Sequence, residues 1–121
     1  MTVTIDYFKD VEDVKTYLAG QTIFEVGQPD NLMHAVKEGE VEIYFNGELL
    51  EVATAGGILG IKSLIDDKPH TTTAIAKTDC KIVEVDEDQF LFLVHETPMF
   101  ALHMMRLLAK RSRDLMMRAM P

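Results

Sequence analysis

Disulfide scaffolding is excluded at the outset. The 121 residues include a single cysteine, Cys80, which cannot close an internal bridge and which, in a strand-like apolar run, reads as a buried thiol rather than a nucleophile or a ligand. Prolines are few, four in all, and 47% of the residues are apolar. Disorder is thereby excluded, and one globular domain that buries its own core is expected. Apolar runs stay far short of a membrane span, and residues 1–10 carry neither the basic region nor the apolar stretch of a signal peptide. The expected location is the cytoplasm. Positive charge is also scarce, with 12 lysines and arginines against 20 acids and a net charge of −8. Residues 106–121 hold Arg106, Lys110, Arg111, Arg113 and Arg118 against Asp114, a net of +4, which leaves −12 on residues 1–105. An acidic body repels the phosphate backbone, so direct binding of nucleic acid is not expected.

Catalytic and metal-binding patterns are missing too. His34, His70, His95 and His103 show no His-x-His spacing, and Ser63 and Ser112 have no nearby histidine and acid to activate them. The pair Asp66-Asp67 reads as a solvated turn. No catalytic residue, no metal ligand and no enzymatic activity are expected.

What is present is a run of short extended segments. Residues 21–26, 32–37, 41–45, 48–54, 71–77 and 80–85 have the composition of strands, about seven short strands being expected in all. In residues 41–45, Val41, Ile43 and Phe45 alternate with Glu42 and Tyr44, one face for the core and one for water. Asn46-Gly47 is the strongest hairpin signal in the chain. No long helix interrupts these segments. The expected fold is therefore mainly β, an antiparallel barrel or jelly roll.

Helices are expected at both ends. Tyr7, Val11, Val14, Tyr17 and Leu18 recur at steps of three and four, predicting an amphipathic helix over residues 6–18 ended by Gly20. Another runs from about Asp86 to Glu96 with Phe90, Leu91, Leu93 and Val94 as its apolar face, and Thr97-Pro98 opens the last, to about Ala119. Three segments follow: a helical cap over 1–20, the β-barrel over 21–86 and the C-terminal helices over 87–121. In the last helix Ala101, Met105, Leu108, Ser112, Leu115 and Ala119 form a heptad seam, while Phe100, Met104 and Leu107 make a second stripe. Two apolar stripes on one helix predict a homodimer through it, and Met104, Met105, Met116, Met117 and Met120 suit adaptable contacts. The alternative is that both stripes fill one broad core face.

Residues 56–76 are the stretch that the rest presents. Gly56, Gly57 and Gly60 free the backbone, residues 61–65 have room for about one helical turn, Pro69 closes it, and a threonine-rich strand resumes. Main-chain N–H groups and hydroxyls in such a cup suit a small anion.

Taken together, the order of parts resembles a cyclic-nucleotide-binding domain, the module of the catabolite activator protein and of regulatory subunits of cAMP-dependent protein kinase. The family's phosphate-binding cassette reads approximately Gly-Glu-x-[Ala/Ser]-Leu, a few residues, then Arg-[Ser/Thr/Ala]-Ala-[Thr/Ser], and Gly60, Ser63, Leu64, Thr71, Thr73 and Ala74 are in step with it. Ile61 stands where the pattern has the glutamate that accepts the ribose hydroxyl, His70 where it has the arginine that pairs the phosphate, and Lys62 where an apolar residue is usual.

The resemblance implies a regulatory module whose ligand, a cyclic nucleotide or small anion, would meet Gly60, Ile61, Lys62, Ser63, Leu64, His70, Thr71 and Thr72. In this family the last helix closes over the ligand and relays its presence. Cyclic AMP or GMP in the usual pose is expected to bind weakly or not at all, since an unpaired phosphate charge costs about 3–5 kcal/mol and an unpaired hydroxyl about 1–3 kcal/mol. Two readings follow: a sensor of another nucleotide or anion, or a ligand-independent dimeric adaptor whose pocket Ile61 plugs. Family members often carry a DNA-binding or effector domain after this module. The sequence given stops at Pro121, and if it is the entire protein its expected output is contact with another protein chain.

Overall fold

The computed structural model describes residues 6–8 and 10–120. Eight short strands among them form two four-stranded antiparallel sheets. One sheet has the order β1 (Lys15–Tyr17), β8 (Cys80–Val85), β3 (Met33–Glu38) and β6 (Ile58–Leu59); the other has β2 (Thr22–Phe24), β7 (Thr73–Ala76), β4 (Val41–Phe45) and β5 (Glu48–Ala53). Only β4 and β5 are neighbours in both sequence and space, so the remaining pairings close long loops, as in a jelly roll. Two separate sheets stand in place of a closed barrel.

The hairpin turns where the sequence places it. Phe45 and Glu48 pair across Asn46 and Gly47, whose φ values of 52° and 78° are the left-handed pair of a two-residue turn. Alternation follows in β4: Val41 and Ile43 are buried and Glu42 and Tyr44 are not. Phe45 departs from the expected inward face and is 40% exposed. The register of β4 against β5 shifts between Ile43 and Tyr44, and the strict alternation stops there. Across the core Val41, Ile43, Ala74, Ala76, Cys80 and Ile82 meet Ile23, Phe24, Val36 and Leu59, so both sheets contribute inward faces. Each large aliphatic removed from water there stabilises by about 1.5–3 kcal/mol. The Cys80 thiol is buried and faces the carbonyls of Glu40 and Thr78, each at 3.2 Å. Burial pushes its pKa up, which keeps it protonated.

The expected N-terminal helix is corrected. The described residues of 6–18 hold a 3-10 turn, Asp6–Phe8, and then strand β1; residues 1–5 and 9 of the expected cap lie outside the described set. Steps of three and four between apolar residues are compatible with a helix but do not compel one. The edge of β8 needs hydrogen-bond partners, and Lys15, Thr16 and Tyr17 pair with Ile82, Lys81 and Cys80 to supply them. The other strand beyond the six named segments is β6, inside the glycine-rich stretch, where His34 and Ala35 pair with Leu59 and Ile58.

The chain divides into two units, residues 1–87 and 88–121. In the second, α2 (Glu87–Glu96) is followed by α3 (Pro98–Ala119) with Pro98 in its first turn. Phe90 and Phe100 meet edge to face at 5.3 Å. No residue of α2 is fully buried, and Leu91, expected on its apolar face, is 55% exposed. In α3 the buried residues are Phe100, Met104 and Leu107. On the heptad seam Ala101 and Leu108 are half-buried, while Met105, Ser112, Leu115 and Ala119 are exposed. No helix among the described residues is long and apolar enough to cross a membrane.

Candidate functional site

Strand β6 delivers the chain to Gly60, whose φ of 70° is left-handed, and α1 (Ile61–Asp66) starts at the next residue. A six-residue helix has little stability of its own and depends on packing. Ile61, Ser63 and Leu64 are its buried face. The Ser63 hydroxyl donates to the Lys68 carbonyl at 2.5 Å, and Asp66 accepts from the Lys68 N–H at 3.2 Å, so the return loop is tied to the helix. Lys62 is exposed, Thr71 is exposed and Thr72 is half-buried.

His70 is held at both ends. Its N–H donates to the Gln28 carbonyl at 3.1 Å and its own carbonyl accepts from the Gly27 N–H at 2.7 Å, which fixes the cassette to the turn after β2. Its imidazole stacks on Phe24, with centroids 3.9 Å apart and planes 16° apart. Its Nε2 lies 2.5 Å from Asp30 Oδ1, and the side chain is 2% exposed. Asp30 is itself positioned, accepting from the Leu32 N–H at 3.2 Å and from Gln28 Nε2 at 3.0 Å.

His34, on β3, completes the cluster. Its Nε2 stands 3.9 Å from Asp30 Oδ2 and 3.8 Å from Glu84 Oε2, and Glu84 is its cross-strand partner in β8. The side chain is 1% exposed and Nδ1 has no hydrogen-bond partner. Burial pushes its pKa from 6.5 down to about 4, with His70 reinforcing the shift and Asp30 opposing it. Gly60 closes the cluster from the cassette side. A Cβ there would come within 2.8 Å of His70 Cε1 and 3.3 Å of His34 Nδ1, so both the positive φ and the space call for glycine.

The sequence marked His70 as an expected ligand contact and His34 only as a histidine without metal-ligand spacing. The structure brings them together with Asp30, one ligand atom from each lying within 4.8 Å of the others. The available signal was weak: Asp30 and His34 are four apart, but His70 joins them only through the fold. Of the expected ligand residues, Gly60 and His70 meet, Ile61, Ser63 and Leu64 turn into the protein, and Lys62 and Thr71 face outward. A separate cavity of about 360 Å³ lies on the outer face of the second sheet, bordered by Val26, Tyr44, Asn46, Thr71, Thr73 and Ile75. The register places Tyr44 opposite Thr73, on the face away from the core residues Ile43 and Ala74.

A glycine-led cassette between two jelly-roll sheets, followed by paired helices, has a counterpart among known families. The model of the cyclic nucleotide-binding domain matches residues 14–97. The chain belongs to this family. Among curated proteins it is similar to the cAMP-dependent protein kinase regulatory subunit of Aspergillus niger, 34% identical over 83 residues, 67% of this chain and 20% of that one. The same subunit of Aspergillus fumigatus matches with the same identity and coverage. The chain thus spans a fifth of the length of these relatives, which are regulatory subunits.

Among solved structures it resembles the Thermus thermophilus catabolite activator protein, with a TM-score of 0.78 and 24% identity over 88% of this chain and 52% of that one. A structure from a cyclic-GMP-dependent signalling pathway of bacterial phytopathogenesis matches with a TM-score of 0.73 and 26% identity, covering 83% of this chain and 84% of the other. Regulatory modules of this family are thus the chain's relatives.

Proposed function

We propose that this domain is a non-catalytic regulatory module that acts by contact with other protein chains and binds cyclic AMP or cyclic GMP in the family's usual pose weakly or not at all. The observation that carries this reading is His70. At the position of the phosphate-pairing arginine, its ring is buried, stacked on Phe24 and bonded to Asp30. Ile61 supports the same reading, because at 1% exposure it packs in the interior and has no acceptor for a ribose hydroxyl. Loss of the two contacts together removes several kcal/mol, enough to carry a micromolar ligand to millimolar or worse at about 1.4 kcal/mol per tenfold. The exposed seam of α3 supports a contact output, a homodimer through Met105, Leu108 and Leu115. Isothermal titration with cyclic AMP and cyclic GMP at pH 6 and pH 8 tests the reading. No saturable binding below millimolar is expected, and micromolar binding of either nucleotide overturns it.

A second reading, a sensor for another nucleotide or a small anion, is favoured by the accessible Lys62 and Thr71 and by the cavity that Thr71 and Thr73 border. The same titration with phosphate and nucleoside phosphates distinguishes the two, because saturable binding lost in Thr71→Val supports the sensor.

A further inference from the structure

Three side chains from separate parts of the first unit converge with the chemistry of a metal site. Asp30 comes from the loop after β2, His34 from β3 and His70 from the end of the cassette, and their ligand atoms lie within 4.8 Å of one another. Two imidazoles and a carboxylate suit zinc and its neighbours among divalent ions, whereas calcium and magnesium prefer an all-oxygen shell. Ligands at zinc distances of about 2.0–2.2 Å stand about 3.3–3.6 Å apart in a tetrahedron. The observed separations, 2.5 Å from His70 to Asp30 and 3.9 Å from His34 to Asp30, bracket that range.

Electrostatics point the same way. Two carboxylates, Asp30 and Glu84, face His34, whose Nε2 is beyond hydrogen-bond reach of both and whose Nδ1 has no partner. A cation between Nε2 and the two carboxylates would give that edge of the buried imidazole a partner. The supports are also firm: Gln28 and Leu32 hold Asp30, and the backbone bonds of residues 27, 28 and 70 hold His70.

We infer that Asp30, His34 and His70 form a binding site for one divalent late transition-metal ion, zinc foremost, with Glu84 or a water molecule completing the shell. Such an ion would clamp the cassette to the β2–β3 loop and to β3, making the order of the cassette depend on metal supply. The inference does not rest on the nucleotide reading, because it requires neither binding nor loss of cyclic nucleotide.

The test is titration of the full chain, stripped with a chelator, with zinc chloride by calorimetry and with cobalt(II) by visible absorption. One equivalent per chain is expected, with the ligand-field bands of a low-coordinate nitrogen and oxygen site and a zinc-dependent rise in Tm. His34→Gln and His70→Gln should each weaken binding by about 100-fold and abolish the rise in Tm, while the double variant His95→Gln and His103→Gln should bind as the parent does. Circular dichroism shows which variants fold, and Asp30→Asn takes the place of one that does not. Failure of the folded parent to take up zinc overturns the site, as does zinc affinity unchanged in the folded Asp30, His34 and His70 variants. Neither result alters the nucleotide titration, so the two ideas fail separately.

Discussion

In the cassette, α1 turns Ile61 and Leu64 into the protein and leaves Lys62 outside; in the last helix, α3 buries Phe100, Met104 and Leu107 but keeps Met105, Leu115 and Met116 at the surface. The cassette helix leaves one large apolar residue, Ile65, exposed, whereas α3 leaves Met99, Met105, Leu115, Met116 and Met117. A helix of six residues persists only because its apolar face is covered and its loop is tied by Ser63. A helix of 22 residues spans about 33 Å and carries more apolar surface than one stripe accounts for. The difference separates residues that hold the fold from residues free to meet another chain.

The largest effect that would sharpen this contrast is expected from Ile61→Glu, which restores the family's residue. With Ile61 at 1% exposure, an unpaired carboxylate there should destabilise by about 3–5 kcal/mol in urea unfolding. A stable variant that binds cyclic AMP would instead show that the cassette is still a ligand site.

Next in size is a pH dependence. His34 titrates near 4 in the fold against 6.5 when unfolded, so between these values the unfolded chain binds the extra proton. Stability present above pH about 6.5 should fall by about 3 kcal/mol as the metal-free protein is taken to pH about 4. His34→Gln should flatten that slope in urea titrations, and an unchanged slope would mean that His34 is not held neutral.

Gly60→Ala should cost about 1–2 kcal/mol from the positive φ alone, with the approach to His70 adding to it. A neutral outcome in thermal melts would show that the rings yield and that the cluster is looser than its geometry. The smallest effect belongs to α3. Met105→Glu with Leu115→Glu should change chain stability by less than about 0.5 kcal/mol, since both positions are exposed. The same pair should convert a dimer to monomer in sedimentation equilibrium, and an unchanged assembly state would remove the seam from consideration.

Much of the molecule was legible beforehand for local reasons. Asn46-Gly47 tolerates two left-handed residues, and Pro98 opens a helix that its own periodicity carries to Ala119. Gly60, Ser63 and Leu64 marked the cassette through their resemblance to the family's pattern, and Cys80 was placed in an apolar strand. The spacing of Tyr7, Val11, Val14 and Tyr17 misled, because β1 exists to pair with β8, more than 60 residues away.

The sequence by itself determined the mainly β class, the hairpin and the long last helix, because each depends on periodicity or turn chemistry within a few neighbouring residues, and the family entered through its resemblance to a known pattern. Tertiary structure alone decided that His70 turns inward to Phe24 and Asp30, that His34 joins them, and which stripe of α3 is buried. Those outcomes depend on which distant strands and side chains share a small volume, and chain order does not encode that proximity in any local pattern.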